Sequence, residues 1–473
     1  MFESFADTRQ YLDEHNIRMV DLKYADLWGR WHHVTVPSNQ FSPSLLEEGV
    51  GFDGSSVGLK PLKAGDMVIV PDLATGFMDP FWELPTLAFI CSTQEADTKQ
   101  DFTRDPRNIA CRAEAFLRDT GLADESRWGP EFEFYILDSI AFENEVHRAG
   151  YRLECSEGVW NSPDGGLGHF VPMHGGYHAH PPSDSLHNLR SEMCVHLESM
   201  GVPIKYHHHE VGGPGQVEIE TPMMGLLESA DATMKVKYAT KMTAAAHGQT
   251  VTFMPKPLFG EAGNGMHFHQ MLTRDGLSLF YDHEGYAGLS TMALHYIGGL
   301  LSHGPSVLAF TNPSTNSFRR LVPGYEAPVN LFFSLGNRSA AVRIPMYANN
   351  PTDQRIEFRP PDATANVYLA LAVQLMAGLD GIQNEIDPTD AGFGPFDTDV
   401  FSWSQEQREK VESLPNSLDE ALEGLAGDHD FLLAGEIMDT EFILDWIDFK
   451  MTNEHVEVRD RPHPYEMALY FDV

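Results

Sequence analysis

The sequence predicts an α+β fold in two unequal parts, a small domain over residues 1–104 and a larger one over 105–473. Three observations carry this. A helix-like stretch at about 3–15 is followed by strand-like runs at Arg18–Tyr24, Trp31–Val36, Met67–Val70 and Thr86–Cys91, which together make one small α+β unit. Asp105-Pro106 then reads as a helix start, with a capping acid and Pro at the first helical position, and the run to Leu117 stops near Gly121. Beyond it, strands and helices alternate without a repeat, and helix dominates after Glu385, most clearly over Asp419–Leu425 and Thr440–Lys450.

Composition narrows the function. No apolar run is long enough to cross a membrane, and the acidic start, Met1-Phe2-Glu3, is unlike a signal peptide, so a cytoplasmic protein without membrane contact is expected. Cys91, Cys111, Cys155 and Cys194 are too scattered for a disulfide framework or a zinc knuckle. Sixty-nine acidic residues against 32 basic ones give a formal charge of −37, which repels nucleic acid. Of the basic residues 21 are Arg and 11 Lys, a bias toward the side chain that recognises anions by fixed geometry. A salt-adapted surface and an ordinary acidic enzyme both fit the charge.

Four segments of the larger domain alternate strictly and carry charge on their polar face: Glu131–Ile136, Gln216–Glu220, Met266–Gln270 and Arg355–Arg359. Period 2 puts Glu131 with Glu133, Glu218 with Glu220, His267 with His269, and Arg355 with Glu357 and Arg359, each pair ~6.5–7 Å apart along its strand. One such strand is an amphipathic strand with a wet face. Four imply a shared polar cavity, and so many carboxylates at low dielectric would protonate unless cations neutralised them. Oxygen-rich donors with one or two imidazoles and no thiolate suit Mg²⁺ or Mn²⁺. In His207-His208-His209-Glu210 only Glu210 is expected to be a ligand, the three histidines being read as structural. Arg319, Arg320, Arg338, Arg343, Arg355 and Arg359 supply the complementary charge, and arginines beside divalent ions are the equipment of phosphoryl transfer. No P-loop and no kinase motif is present. Gly54-Ser55-Ser56-Val57-Gly58 matches a hydrolase nucleophile pattern, but Lys60-Pro61 makes a poor helix opening after it.

Phe52-Asp-Gly-Ser-Ser, Gly129-Pro-Glu-Phe-Glu-Phe, His207-His-His-Glu, Phe253-Met-Pro-Lys-Pro, Gly265-Met-His-Phe-His, Thr311-Asn-Pro-Ser-Thr-Asn-Ser, Arg320-Leu-Val-Pro-Gly-Tyr-Glu-Ala-Pro, Asn337-Arg-Ser-Ala and Arg355-Ile-Glu-Phe-Arg stand in the order of the bacterial-type class I glutamine synthetases, which the chain resembles over essentially its whole length. The resemblance implies an N-terminal β-grasp-like domain and a catalytic domain with a curved antiparallel sheet lining the active site. It also implies a homo-oligomer, a dodecamer of two hexameric rings with active sites between subunits, and leaves room for a small regulatory protein. By the same resemblance Glu133, Glu210 and Glu218 hold one metal and Glu131, His267 and Glu357 a second. Arg320, Arg359 and Gly263 meet glutamate, and His269, Arg338, Arg343 and Arg355 surround the ATP phosphates. Asp53 of a neighbouring subunit, with Ser56, Tyr177 and Glu326, forms the ammonium site, Glu326 lying on a flap that closes over the intermediate. The implied activity is ATP-dependent ligation of ammonia to glutamate through γ-glutamyl phosphate.

The chain departs from the family pattern at Ala262 (usually Asn, toward glutamate), Met271 (usually Ser, near the nucleotide) and Lys205 (usually acidic, near the ribose). Ala262 leaves open a ligase that joins glutamate to another amine; a catalytically silent member is disfavoured by the complete metal and arginine sets. Relatives are often adenylylated on Tyr in a loop resembling Asp-x-Asn-x-Tyr, where this chain has Asp397-Thr-Asp-Val-Phe401. Phenylalanine offers no hydroxyl, so adenylylation at Phe401 is not expected.

Overall fold

The structure, a computed structural model, describes residues 2–60, 65–165, 167–325, 327–398, 403 and 411–473. Glu326 and Phe401 lie outside the described residues. The first helix, Phe5–Glu14, starts where the Ser4 hydroxyl accepts the Asp7 N–H at 3.2 Å. Six strands follow: β1 (Met19–Ala25), β2 (Trp31–Pro37), β3 (Val50–Asp53), β4 (Asp66–Pro71), β5 (Phe77–Met78) and β6 (Thr86–Glu95). They form a sheet of order β2-β1-β6-β4-β3, with β5 beside β6 and the central β1–β6 pair parallel. Leu12 from the helix and Val20, Leu22, Ile69, Leu87 and Phe89 from the strands close its core.

Asp105 joins the two parts chemically. Its carboxylate accepts the N–H and hydroxyl of Thr93 in β6 and also caps the helix Pro106–Asp119 through Arg107 N–H. Arg107 then bridges Asp72 of the small sheet (2.8 Å) and Asp231 of the helix Leu226–Ala246 (2.9 Å). A second joint is the turn after β1. The Asn366 amide donates to the carbonyls of Asp26 (3.0 Å) and Leu27 (3.1 Å), and Trp28 stacks on Phe449 with ring centres 3.9 Å apart. Gly29 there runs at φ 75° with Asn366 so close that a side chain would collide with it.

The larger domain is built on β7 (Glu125–Leu137), with β8 (Ser139–Glu145) and β9 (Arg148–Glu154) forming a separate hairpin. Next come β10 (Tyr206–His209), β11 (Gln216–Glu220), β12 (Met224–Gly225), β13 (Thr250–Thr252), β14 (Phe268–Arg274), β15 (Leu277–Ser278), β16 (Asn330–Leu335), β17 (Ala340–Ile344) and β18 (Ile356–Phe358). They make one ten-stranded curled sheet along the path β10-β11-β7-β14-β18-β17-β16. All its pairs are antiparallel except β16–β17. Phe132, Phe134, Val217, Ile219, Phe268 and Phe358 are fully buried on one face, in a core shared with Leu226–Ala246 and the helix Val367–Gln383. That second helix is buried from Val367 to Leu379 and apolar there apart from Gln374, whose amide is satisfied by Gln270 and the Ala370 carbonyl. The charged residues that alternate with this core therefore have only the other face of the sheet.

Two predicted strands are shorter than the alternation implied. β14 begins at Phe268, leaving Met266 and His267 before it, and β18 spans Ile356–Phe358 because Pro360 and Pro361 end the ladder. The period survives all the same: the His267 carbonyl accepts the Glu131 N–H at 3.0 Å, so His267 stays beside Glu131. Among the described residues no helix is long and apolar enough to cross a membrane.

Candidate active site

Strand register assembles the polar face. β11 sets Glu218 opposite Glu133 and Glu220 opposite Glu131, and β10 sets His208 opposite Glu218. β14 and β18 set His269 opposite Glu357, and β17 sets Arg343 opposite Glu357. Of these, Glu131, Glu133, His208, Glu218, Arg343 and Glu357 line a cavity of 430 Å³, completed by Tyr177, Lys205, Glu210, Ala262, Gly263, His267, Arg320, Arg338, Tyr347 and Arg359, while Glu220 and His269 stand behind its lining.

Three groups of side chains bring ligand atoms within 4.8 Å of one another: Glu131, His267 and Glu357; His208, Glu210 and Glu218; and Glu131, Glu220 and His269. The first is the expected set for one metal. In the second, Glu210 and Glu218 meet as expected, but their third neighbour is His208. Glu133 lines the same cavity with one oxygen taking the Gly265 N–H at 2.6 Å. His208, expected to be structural, thus stands among these carboxylates, whereas its two neighbours are pinned elsewhere. His207 lies between Arg190 (3.3 Å) and Ser191 (3.3 Å), and burial together with Arg190 pushes its imidazole down to about 4. His209 is buried against Glu157 at 3.0 Å. The signal for His208 was in the sequence: two residues before Glu210 on an extended chain, it shares Glu210's face.

The electrostatics of these carboxylates differ by neighbour. Burial works against charge on Glu131, but His267 and His269, each 2.9 Å away, hold it well below the usual carboxylate range. Burial also opposes Glu357, yet Arg359 and Arg343, both paired with it, bring it to about 2. Glu218 has His208 at 3.8 Å, an imidazole whose own pKa burial lowers. Burial and the charges of Glu131, Glu133, Glu210 and Glu220 push Glu218 well above its ordinary value.

The arginines form a braced wall. Arg320 is buried, donating to the carbonyls of Pro360 (2.7 Å) and Arg359 (3.2 Å) and approaching His267 at 3.1 Å. Arg359 Nε donates to the Arg338 carbonyl at 3.0 Å. Gly263 packs so tightly that a Cβ would stand 2.4 Å from the Pro255 carbonyl oxygen and 2.8 Å from Arg320. Arg343 and Arg355 flank the Tyr347 ring at 5.9 and 5.4 Å, and the Nε of each is buried without a partner, as is His269 Nδ1. Lys205 pairs with Glu220, which explains how an ammonium replaces an acid at this rim. Met271 lies in β14 opposite Arg127, away from the cavity lining.

Asp53 and Ser56 do not line this cavity. They sit exposed on the small domain, where Asp53 starts the turn Gly54–Val57 and accepts from the hydroxyls of Ser55 (2.7 Å) and Ser56 (2.8 Å), which lower its pKa. A Ser56 hydroxyl given to a carboxylate in such a turn has no hydrolase surroundings. Tyr177 reaches the rim of the cavity, stacked on His178 at 4.1 Å.

Comparison with known proteins agrees with this architecture. The family model described as glutamine synthetase, catalytic domain, matches residues 103–470, and that described as glutamine synthetase, beta-Grasp domain, matches residues 16–96. The chain is 45% identical to a glutamine synthetase of Frankia alni over the full length of both, and 47% identical to one of Nostoc sp. over 98% of both. Its fold superposes on the cryoEM structure of Plasmodium falciparum glutamine synthetase with a TM-score of 0.88, at 25% identity over 99% of each chain. The chain belongs to the glutamine synthetase family.

Proposed function

We propose that this chain ligates ammonia to the γ-carboxylate of L-glutamate at the expense of ATP, through γ-glutamyl phosphate. The observation that carries the reading is the single sheet face on which two ligand groups, Glu131–His267–Glu357 and His208–Glu210–Glu218, stand beside Arg320, Arg338, Arg343 and Arg359. The donors are carboxylates and imidazoles without thiolate, and burial with the charges of its neighbours raises the pKa of Glu218, which a divalent ion beside it would offset; both fit Mg²⁺ or Mn²⁺. Glu133, Glu210 and Glu218, with His208, would hold one ion, and Glu131, His267 and Glu357 the other. Bound there, such ions would supply charge neutralisation for the nucleotide phosphates.

The remaining chemistry falls to side chains. Arg320 and Arg359, with Gly263, would fix glutamate so that a γ-carboxylate oxygen faces the γ-phosphorus of ATP. Arg338, Arg343, Arg355 and His269 would absorb charge as that P–O bond forms and the bond to ADP breaks. The acyl phosphate now has a good leaving group. Ammonium has no lone pair, and Asp53 of a neighbouring subunit, flanked by Ser56 and Tyr177, would take its proton; ammonia then attacks the acyl carbon and phosphate leaves. Glu326 is assigned to the flap that keeps water from the intermediate. Exposure of Asp53 away from this chain's own cavity supports assembly, as do the hairpin β8–β9, exposed along almost its whole length, and the exposed tail from Glu457 to Val473. A lone two-stranded hairpin is marginal in water. We take the assembly to be a dodecamer of two hexameric rings acting in the cytoplasm, able to receive a small regulatory protein.

Phosphate release from ATP and glutamate tests the reading, with ammonium or small primary amines as the second substrate and Mg²⁺ or Mn²⁺ present. Release with ammonium is expected; release with amines alone would make the chain a ligase for another amine. Asp53→Ala should lower turnover at neutral pH and recover part of it at alkaline pH, where free ammonia replaces the missing base. A pH-independent defect would remove Asp53 from the proton transfer. Phe401 lacks the hydroxyl that adenylylation needs. Incubation with a bacterial adenylyltransferase and ATP should therefore leave the intact mass unchanged, and one added AMP in this loop would contradict the assignment.

A further inference from the structure

A second cavity, of 740 Å³, lies where the turn after β1 meets the larger domain. Its charge is opposite to that of the chain. Arg30, Lys237, Lys241 and Lys450 line it against one carboxylate, Glu454, in a protein of formal charge −37. Three of only 11 lysines in the sequence thus converge on one cavity.

A solvated basic face would be the ordinary explanation of such residues, but these are not arranged as one. Lys237 and Lys241 are one turn apart on Leu226–Ala246, where like charges repel, Lys237 half-buried and Lys241 exposed at the cavity mouth. Lys450 is neutralised by Glu454 at 2.6 Å. Among the described residues, Arg30, Lys237 and Lys241 make no ion pair. The Lys237 ammonium has one acceptor, the Ala365 carbonyl at 3.2 Å. Asp362, the one acid acting on it, is buried with its oxygens engaged by Asn312 and Thr364. Burial and the adjacent Lys241 accordingly push Lys237 down to about 7, and burial and Arg30 lower Lys241. Arg30 and Lys241, exposed at the mouth, and the half-buried Lys237 behind them converge on one cavity without an ion pair among the described residues, which favours an anion of more than one charge.

The walls describe the rest of the ligand. Trp31 and Tyr238, with ring centres 5.9 Å apart, and Phe253, 5.9 Å from Lys241 Nζ, present apolar faces beside the cations. The volume is that of a small-molecule site, too small for a folded partner. We propose that this cavity binds a small organic dianion, phosphate or carboxylate in kind, carried on a flat aromatic or apolar body. Its far wall is Pro313-Ser314 and Ala363-Thr364, segments that run directly into Arg320 and out of Arg359. The site is therefore built from both domains and from the chain that positions the arginines of the first cavity.

The test uses the assembled enzyme without nucleotide, and phenyl phosphate and phthalate as probes, followed by calorimetry and by quenching of Trp28 and Trp31 emission. Each probe supports the site if it binds once per chain and several-fold tighter than inorganic phosphate; a preference between them identifies which anion the cations select. Lys241→Gln and Arg30→Gln, on opposite domains, should each weaken binding about tenfold by removing one charged contact, while Lys241→Arg retains it. Turnover of Lys241→Gln without probe should match the parent, which verifies folding. Arg338→Gln should leave probe affinity unchanged. No binding of either probe, unaltered affinity in both pocket variants, or loss in Arg338→Gln in their place would overturn the proposal.

Discussion

The structure depends on holding many carboxylates on one sheet face. At ~5 Å and an effective dielectric constant near 20, each like-charged pair costs roughly 3 kcal/mol. Glu131, Glu133, Glu210, Glu218, Glu220 and Glu357 would therefore repel one another or protonate were they left to themselves. The fold divides the problem. His267 and His269 stabilise Glu131, Arg343 and Arg359 stabilise Glu357, Lys205 holds Glu220, and Glu218, whose neighbour His208 stands 3.8 Å away with its pKa lowered by burial, is where an ion from solution fits. Phosphoryl transfer needs that imbalance, because a site already neutral would have nothing with which to recruit a metal-bound nucleotide.

Support for these charges lies one layer back. Glu157 accepts from Ser185, His209 and Gly215, and Glu261 accepts from His174 and Gly213, so two buried carboxylates fasten the Val211–Gly215 loop that follows Glu210. Arg190 does the same for the His207 segment through its two-pronged pair with Asp184. The opposite face of the sheet is held by the mostly apolar, largely buried helix Val367–Gln383. A rigid greasy side and a braced polar side together fix the ligand atoms before any ion arrives, which lowers the cost of organising them.

Much of this was legible in the sequence because a strand's period is 2. Alternation alone put Glu131 with Glu133 and Glu218 with Glu220, and the ladder then needed only to be laid in register. Helix termini were legible where chemistry marks them, as at Asp105-Pro106 and over Thr440–Lys450. His208 was lost because a run of three histidines hides which one faces inward, a question that the β10–β11 register answers and composition does not. Arg355 was assigned by alternation to the strand, yet β18 begins one residue later and Arg355 is tied to Asp353 at its start. The hairpin β8–β9 gave no signal, since its function would be fulfilled outside this chain. The basic cavity was invisible for another reason: Arg30, Lys237 and Lys450 are each some two hundred residues apart, and only the docking of the β1–β2 turn brings them together.

The central claim is that the unbalanced carboxylates are a cation site. It is tested most directly by Mn²⁺ calorimetry on the enzyme near neutral pH, in buffers of different ionisation enthalpy, with Glu357→Ala alongside. Glu218 has a raised pKa without metal, so it keeps a proton at pH values where an ordinary carboxylate is charged. The ion must displace that proton: the observed enthalpy should vary with the buffer, and affinity should rise with pH and fall as acid competes. The account predicts two ions per chain with proton release in the parent, and one ion with no turnover in Glu357→Ala. Binding without proton release, or two ions and full activity in the variant, would contradict it.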